Sequence, residues 1–483
     1  MTRRDGDTPR VIVAGAGIAG LATGRFLRER AAELSVTVLE ASSRVGGAIG
    51  THRDGDLTLE QGAHAFLNRH PSTLSLAVGL GLEDRLLTGC EERRRRFIFS
   101  QGRLERFPDG PGSFLGTGLL SPWSKARMLV EPLVPRRRRG EDESVGSFAR
   151  RRLGSGAAVR LVEPVVGGIY AGDPEGLSVR SVLPQLAGLE ASGRSLLSAY
   201  LKQRWQGSAD SGRSPTVPGR SRLVSLVGGL QELTSALGAS LGDDLQLESP
   251  VEGLQRDGDE WVVSVGGPRS RELRADVVVG ALPAPATGRL LARVDPEMAA
   301  LASSVCYSPV AVTGFAFREA EIPHPLDGFG HLLAGDEDGC VLGVYWSSSV
   351  FPGQRAPRGT VVLQAFLGGA RDPGICERDD EAILGLALEH LDKSLGVSAA
   401  PTKARVFRHP LGLPQYGLGH SLRLAAVERG LARWPGLHLT GSAWRGSGIN
   451  SCTADAARVV DQILAEHPAG MSETAGKRTG ART

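Results

Sequence analysis

The sequence predicts an α/β fold, and three features carry that expectation. An apolar run at 11–14 ends in glycines, a helix-spaced segment follows at 19–30 (Leu21, Ala22, Phe26, Leu27), and a second apolar run spans 35–40. That order reads as a β-α-β unit. Over 400 residues later, a short apolar run at 437–440, a glycine-rich turn and a helix-spaced segment at 453–466 repeat the strand–turn–helix order. Between them, 310–367 is mixed and strand-rich. If the first and last segments build one site, the domain they form is discontinuous in sequence.

The remaining segments follow in order. Residues 93–205 are rich in Arg and Leu and read as mostly helical. Residues 207–220 have linker composition. Strand-like runs cover 245–254, 260–265 and 275–281. The longest uncharged stretch, 298–317, contains Ser303, Ser304, Ser308, Pro309, Thr313 and Gly314. It reads as loop and strand, not as a membrane span. The tail after His467 is Gly/Ser/Thr-rich and is expected to be disordered.

Composition narrows the classes. Of 483 residues, 41% are apolar and 23% charged, which excludes wholesale disorder. The five cysteines are scattered and form no CxxC pair. That argues against a zinc ribbon or a secreted disulfide framework and fits a reducing compartment. A net charge of +3 is too small to imply nucleic acid. The start, MTRRDGDTPR, lacks the apolar core of a signal peptide. The expected location is cytoplasmic.

The chemistry sits in glycine-rich turns. Gly15-Ala16-Gly17-Ile18-Ala19-Gly20 is a GxGxxG between a strand and a helix. Gly15 allows the tight turn, Gly17 lets backbone approach a pyrophosphate, and Gly20 lets helix pack close on strand. The helix start at Ile18 and Ala19 offers unpaired N–H groups and a positive dipole end to phosphates. Glu40 ends the next strand, where its carboxylate suits ribose hydroxyls and repels a 2′-phosphate. Ala41-Ser42-Ser43-Arg44-Val45-Gly46-Gly47 resembles the xxRxGG extension of FAD-binding oxidases. Gly62-Ala63-His64 stands where such enzymes make a second FAD contact. Near the C-terminus, the turn carrying Trp444, Gly448 and Ile449 precedes a helix. Its N-terminus would face the flavin pyrimidine and stabilise the negative charge of the reduced ring. Val251 is the expected backbone partner of the adenine.

Inner motifs extend the resemblance over nearly the whole chain. They include Leu161-Val162-Glu163-Pro164, Gly168-Ile169-Tyr170-Ala171-Gly172-Asp173-Pro174, Gly328-Phe329-Gly330-His331-Leu332 and Pro414-Gln415-Tyr416. Together they resemble the oxygen-dependent protoporphyrinogen oxidases, FAD enzymes of the amine oxidase/phytoene desaturase superfamily. The resemblance implies a six-electron oxidation of protoporphyrinogen IX to protoporphyrin IX in haem biosynthesis. O2 is the acceptor, H2O2 the product, and non-covalent FAD the hydride acceptor. It implies no conserved acid/base residue and no metal. Arg96 matches an arginine directed at a substrate propionate. Leu332 and Phe366 match lining residues of the ring pocket, and Tyr345 takes a third lining position that is usually smaller or aliphatic. Gly172 matches a backbone position near the macrocycle. A homodimer and hand-over of product to a ferrochelatase are further implications.

Three departures stand out. Ala48 replaces a common basic residue, Ser451-Cys452 replaces Asp-Cys, and His64 replaces an asparagine. Cys452 reads as a buried structural cysteine. His64 either faces the flavin's reactive side or fills a loop.

Rival readings remain open. Coproporphyrinogen III is the nearest alternative substrate, with two extra carboxylates that the arginines at 93–96 would suit. An amine oxidase is disfavoured because 307–317 (YSPVAVTGFAF) lacks the expected lysine. A non-catalytic partner-binding member of the fold is disfavoured by the intact flavin motifs.

Residues 114–134 mix apolar side chains and Trp123 with Lys125 and Arg127, and an arginine run follows at 136–139. This pattern suits an anionic membrane surface, so peripheral attachment to the cytoplasmic face of the inner membrane is expected. The full expectation is an α/β protein with a discontinuous Rossmann-like FAD-binding domain (1–90, 215–282, 405–470). A helical membrane-binding domain (91–214) and a substrate-binding domain with antiparallel sheet (283–404) complete it, ahead of the tail at 471–483.

Overall fold

The computed structural model describes residues 8–68, 71–135, 141–192, 195–196 and 222–467. The elements that frame the site begin with β1 (Arg10–Ala14), α1 (Ile18–Arg30), β2 (Ser35–Leu39) and β3 (Leu57–Glu60). A hairpin of β4 (Arg95–Ser100) and β5 (Arg103–Arg106) precedes a run of short helices ending in α2 (Glu163–Tyr170) and its successors. Next come β6 (Leu223–Leu226), β7 (Leu245–Gln246), β8 (Val251–Asp257) and β9 (Val277–Gly280). Then follow β10 (Tyr307–Arg318), β11 (Gly328–Leu333), β12 (Val341–Tyr345), β13 (Thr360–Gly368) and α3 (Asp380–Leu395). The described chain closes with β14 (Lys403–Pro414), β15 (Leu437–Leu439) and α4 (Ile449–Glu466).

Two sheets organise the molecule. The first is parallel, in the order β7-β2-β1-β9-β15, so its strands come from both ends of the chain. It is apolar on both faces, as a doubly covered parallel sheet must be. Val11, Val13, Val36 and Val38 pack with α1 and α4 on one face; Ile12, Leu39, Val278 and Leu439 pack with Trp261 and Leu291 on the other. The discontinuous reading of the β-α-β and strand–turn–helix segments therefore matches the pairing.

The second sheet has seven strands in the order β14-β10-β13-β12-β11-β4-β5, all antiparallel except β4 with β11. Its odd-numbered β13 residues, Leu363, Ala365 and Leu367, pack against α3 through Ile383, Ala387 and Leu391. The opposite face meets β3, where Leu59 packs with Val362 and Phe407.

Two local readings differ from the structure. Residues 95–106 are not helical but form the β4–β5 hairpin at the edge of the second sheet. Its tight turn places Gln101 at φ 55° and Gly102 at φ 69°, the two left-handed positions of a two-residue hairpin. The stretch 298–317 holds the end of a helix, Pro296–Ser303, as well as β10. Asp295 caps that helix by accepting from the Met298 amide at 3.0 Å, with Pro296 at the first turn. The linker-like 207–220, the arginine run 136–139 and the tail 471–483 lie outside the described residues.

Arg355, in the loop between β12 and β13, ties the second sheet to β3 and β6. It is buried, donates to the Leu226 carbonyl and the Ser225 hydroxyl of β6, and lies 3.6 Å from Glu60 at the end of β3. Removing one partner of a buried pair typically costs about 3–5 kcal/mol. Arg355→Met is expected to lower the urea midpoint by an amount equivalent to about that much, read by tryptophan fluorescence.

Candidate functional site

The site is assembled from bare backbone. Gly15 has φ +103°, and its amide donates to the Leu39 carbonyl at 2.7 Å. A Cβ on Gly20 would lie 1.9 Å from the Gly15 carbonyl, so only glycine lets α1 start this close to β1. Gly17 is different: a Cβ there would meet nothing within 4 Å. No side chain caps α1 at Gly17, so the Ile18 and Ala19 amides face open space beside it.

Glu40 sits at the same spot. Its carboxylate accepts from the Ala16 amide at 2.7 Å and from the Ser42 amide at 2.9 Å. The adjoining loop returns to the turn: the Gly46 amide donates to the Ala16 carbonyl at 2.8 Å, and a Cβ on Gly47 would come within 3.4 Å of Gly17 Cα. Arg44, though exposed, folds back on its own loop. It donates to the Val45, Gly47 and Ile49 carbonyls, holding the loop in shape. Beyond Ala41, the Ser42 and Glu40 carbonyls accept from the Glu248 and Ser249 amides, which brings Val251 at the start of β8 alongside.

The C-terminal turn closes on this centre. A Cβ on Gly441 (φ +111°) would lie 4.0 Å from Ala19 Cβ, so residues over 400 positions apart meet at the first turn of α1. Gly448 begins α4 with no side-chain cap, and a Cβ there would also meet open space. Ile449 and Trp444 are buried, and the Trp444 indole N–H has no partner among the described residues. The Cys452 thiol is buried and pushed up to about 12, which keeps it protonated. Two uncapped helix N-termini, a buried orphan donor and glycine-lined space suit an anionic dinucleotide. The residues present fit FAD.

The second sheet supplies the other wall. Its pairings set Arg96, Gly330, Tyr345, Gln364 and Gly314 in one cross-strand row. Ile98, Leu332, Gly343, Phe366 and Val312 form the next row on the same face. Four residues singled out from sequence thus share one surface. Leu332, Tyr345 and Phe366 are half-buried, although Ala365 and Leu367 beside Phe366 are fully buried. Glycine makes the room: a Cβ on Gly343 would lie 2.8 Å from Leu332 Cδ2, and one on Gly168 of α2 would lie 2.5 Å from it. Gly172, just past α2, is buried against Gln415, whose amide holds the Tyr170 carbonyl at 2.8 Å.

Arg96 ends the first row, with its guanidinium 5.7 Å from the Phe329 ring centroid. Its neighbours are engaged: Arg93 with the Leu326 carbonyl, Arg94 with Glu91 and Arg95 with Asp327. Arg96 has no ion pair among the described residues.

The two walls meet at Gly62, Ala63 and His64. The His64 ring centroid is 4.5 Å from that of Tyr345 and 5.0 Å from that of Phe366. Behind it, Gln364 donates to the Glu60 carbonyl at 2.7 Å, and His409 Nε2 lies 2.7 Å from the Gln61 carbonyl. Burial pushes the His64 imidazole down to about 4, helped by the Arg355 cation, while the polar groups of Gly62 and Gln364 pull the other way. Burial also pushes the Glu60 carboxyl up to about 7, against Thr51, Arg355 and the Leu230 amide, which favour the carboxylate.

Glu60, Arg355 and Gln364 were not singled out from sequence. Arg355 is one arginine among many, but Gln364 left a trace as the one polar residue within VVLQAFL.

These features define a dinucleotide-dependent oxidoreductase fold with a second, apolar wall. The model of flavin-containing amine oxidoreductases matches residues 18–464, and the chain belongs to that family. FAD is its cofactor. The coproporphyrinogen III oxidase of Bacillus subtilis is 30% identical over 94% of this chain and 97% of its own length. The protoporphyrinogen oxidase of Bos taurus is 30% identical over 95% and 99%. A solved structure from Exiguobacterium sp., named provisionally a protoporphyrinogen oxidase, aligns at a TM-score of 0.81. It is 26% identical, covering 95% of this chain and 99% of that one.

Glu60 gives a pH test. A carboxyl whose folded value exceeds its unfolded value binds more protons when folded, so its contribution to stability falls as pH rises through that interval. Glu60→Gln is expected to remove a decline in stability between pH 5 and about 7 that the parent protein shows, measured by urea unfolding across that range.

Proposed function

We propose that the protein oxidises protoporphyrinogen IX to protoporphyrin IX, with O2 taking the electrons. The observation that carries this reading is the half-buried apolar face of Leu332, Phe366 and Tyr345, with the Arg96 guanidinium, which has no ion pair among the described residues, at its end. A flat apolar macrocycle bearing carboxylates at one edge matches that surface. In this reading Gly15, Gly17, Ile18, Ala19, Gly20 and Glu40 hold the adenosine pyrophosphate half of FAD, with Val251 at the adenine. Ala41, Arg44, Gly46, Gly47, Gly62, Ala63, Trp444, Gly448 and Ile449 surround the flavin half. Bound FAD accepts a hydride at each of three oxidations; the protein binds, orients and keeps water from the ring.

Coproporphyrinogen III is the second reading. The bacterial relatives of that name favour it, whereas the ion pairs of Arg94 and Arg95 leave only Arg93 and Arg96 of this run without a carboxylate partner among the described residues, which favours the substrate with fewer carboxylates. Porphyrin fluorescence after mixing the yellow protein with each porphyrinogen in air tests both. Faster protoporphyrin formation supports the first, faster coproporphyrin formation the second, and oxidation of neither removes both. Arg96→Ala is expected to raise KM about tenfold to a hundredfold with kcat little changed, since a charged hydrogen bond is worth about 1.5–3 kcal/mol.

Attachment to a membrane is a further part of the reading. Among the described residues, no helix is long and apolar enough to cross a membrane. Leu115, Trp123, Leu129, Val130 and Leu133 are nevertheless exposed, Trp123 at 82%. Lys125 and Arg127 are turned to backbone carbonyls of Leu115, Thr117, Arg151 and Arg152, so the segment offers apolar contact more than charge. A one-sided insertion into lipid accounts for this exposure. The double change Trp123→Ser with Leu133→Ser is expected to weaken binding to phosphatidylglycerol-containing vesicles at least tenfold in a sedimentation assay, with oxidation of detergent-solubilised substrate unchanged.

A further inference from the structure

The face between the two walls is apolar apart from one spot. His64 Nε2 and the Tyr345 hydroxyl are both buried, both without a hydrogen-bond partner among the described residues, and their rings are in edge contact at 4.5 Å. A buried polar atom left unpaired costs about 1–3 kcal/mol, and two on adjoining side chains mark a place where a ligand completes the bonding. His64 belongs to the loop beside Ala48 and Gly50, just past the glycine turn, while Tyr345 and Phe366 belong to the face opposite. The orphan pair therefore stands at the junction where cofactor and macrocycle meet.

The surroundings fix its chemistry. Gln364 is held by other groups: its carbonyl oxygen accepts from Ser347 at 3.1 Å and its amide donates to the Glu60 backbone at 2.7 Å. The charged groups nearest the cluster are Arg355 and Glu60, and both are engaged with Ser225, Leu226, Thr51 and Leu230. Burial first, and the Arg355 cation second, keep the imidazole neutral, with a lone pair available at neutral pH.

We propose that His64 Nε2 accepts the pyrrole proton of the porphyrinogen during each oxidation, with the Tyr345 hydroxyl donating to the macrocycle beside it. This inference rests on the porphyrinogen reading above. As a bridge carbon gives up its hydrogen as hydride to the bound flavin, the neighbouring pyrrole N–H bond breaks. Its proton goes to Nε2, and its electron pair forms the new carbon–nitrogen double bond. The imidazolium passes the proton to solvent when the macrocycle turns or leaves. Two hydrogens leave the substrate in each round, one as hydride from a bridge carbon and one as a pyrrole proton, and after the third round a tautomeric shift of one hydrogen from the fourth bridge to a pyrrole nitrogen leaves the two N–H groups of protoporphyrin. General-base assistance of this kind contributes about 10²–10⁴-fold.

The test compares His64→Ala and His64→Gln with the parent holoenzyme. Glutamine keeps an acceptor oxygen but cannot take a proton. Flavin content, the visible flavin spectrum and protoporphyrin binding by fluorescence quenching are expected to match the parent in both variants. Single-turnover oxidation is expected to fall at least a hundredfold in both. Added imidazole is expected to restore the alanine variant, more strongly with more basic imidazoles, and to leave the glutamine variant unchanged. A His64→Gln rate within threefold of the parent overturns the proposal, as does loss of flavin from either variant, which would make His64 a cofactor ligand. Failure of the parent itself to oxidise any porphyrinogen while yellow overturns the substrate reading instead, and this inference with it.

Discussion

Helix N-termini carry amides that no residue of the same helix can satisfy, and here two of them, α1 and α4, are left uncapped and aimed at one place. Much of the molecule follows from arranging that meeting. Gly20 lets α1 approach β1, Gly46 and Gly47 lay a second loop against the first, and Gly441 lets the C-terminal turn touch Ala19. Glu40 and Arg44 supply little of the surface. They hold the loops by gathering amides and carbonyls, so that the approach is rigid before any ligand arrives.

The second sheet solves another problem, how to leave apolar surface uncovered without losing the fold. Its α3 face is closed, with Leu363, Ala365 and Leu367 buried. Its opposite face is closed where β3 crosses it and where α2 and the helical segments before it pack, against Leu332, Val312 and Ile98. Gly330, Gly343 and Gly314 thin that face, and Leu332, Tyr345 and Phe366 stand in the gap. The polar groups needed to seat β3 are withdrawn behind them: Gln364, Arg355 and Glu60 bond one another or backbone and leave the open part apolar.

What could be read from sequence divides along the same line. The GxGxxG turn, Glu40, the Arg44–Gly47 loop and the Gly448 helix start were legible because each is a local demand on backbone, met by glycine or by a short acid–amide bond. Leu332, Tyr345, Phe366 and Arg96 came from a resemblance, and only the register shows that they share a face. The β4–β5 hairpin was missed because Arg and Leu around it read as helix, while the pairing of Ile98 with Leu332 that makes it a strand spans more than 200 residues. The Pro296–Ser303 helix had a local signal, Asp295-Pro296, that was overlooked. Glu60 and Arg355 had none, since their meeting depends on β3, β6 and the loop before β13 all being in place.

The central position of β1 has a consequence for how the chain is made. β1 is flanked by β2, which emerges almost at once, and by β9 at Val277–Gly280, which is synthesised more than 260 residues later. Until then a strand of valine and isoleucine presents an open edge, the kind of template that invites pairing with other chains. The sheet is finished only when β15 and α4 have left the ribosome, so the N-terminal unit is the first to be translated and among the last to be sealed. Biosynthesis therefore favours a nascent chain that is sheltered, or kept slow to pair, through most of its length.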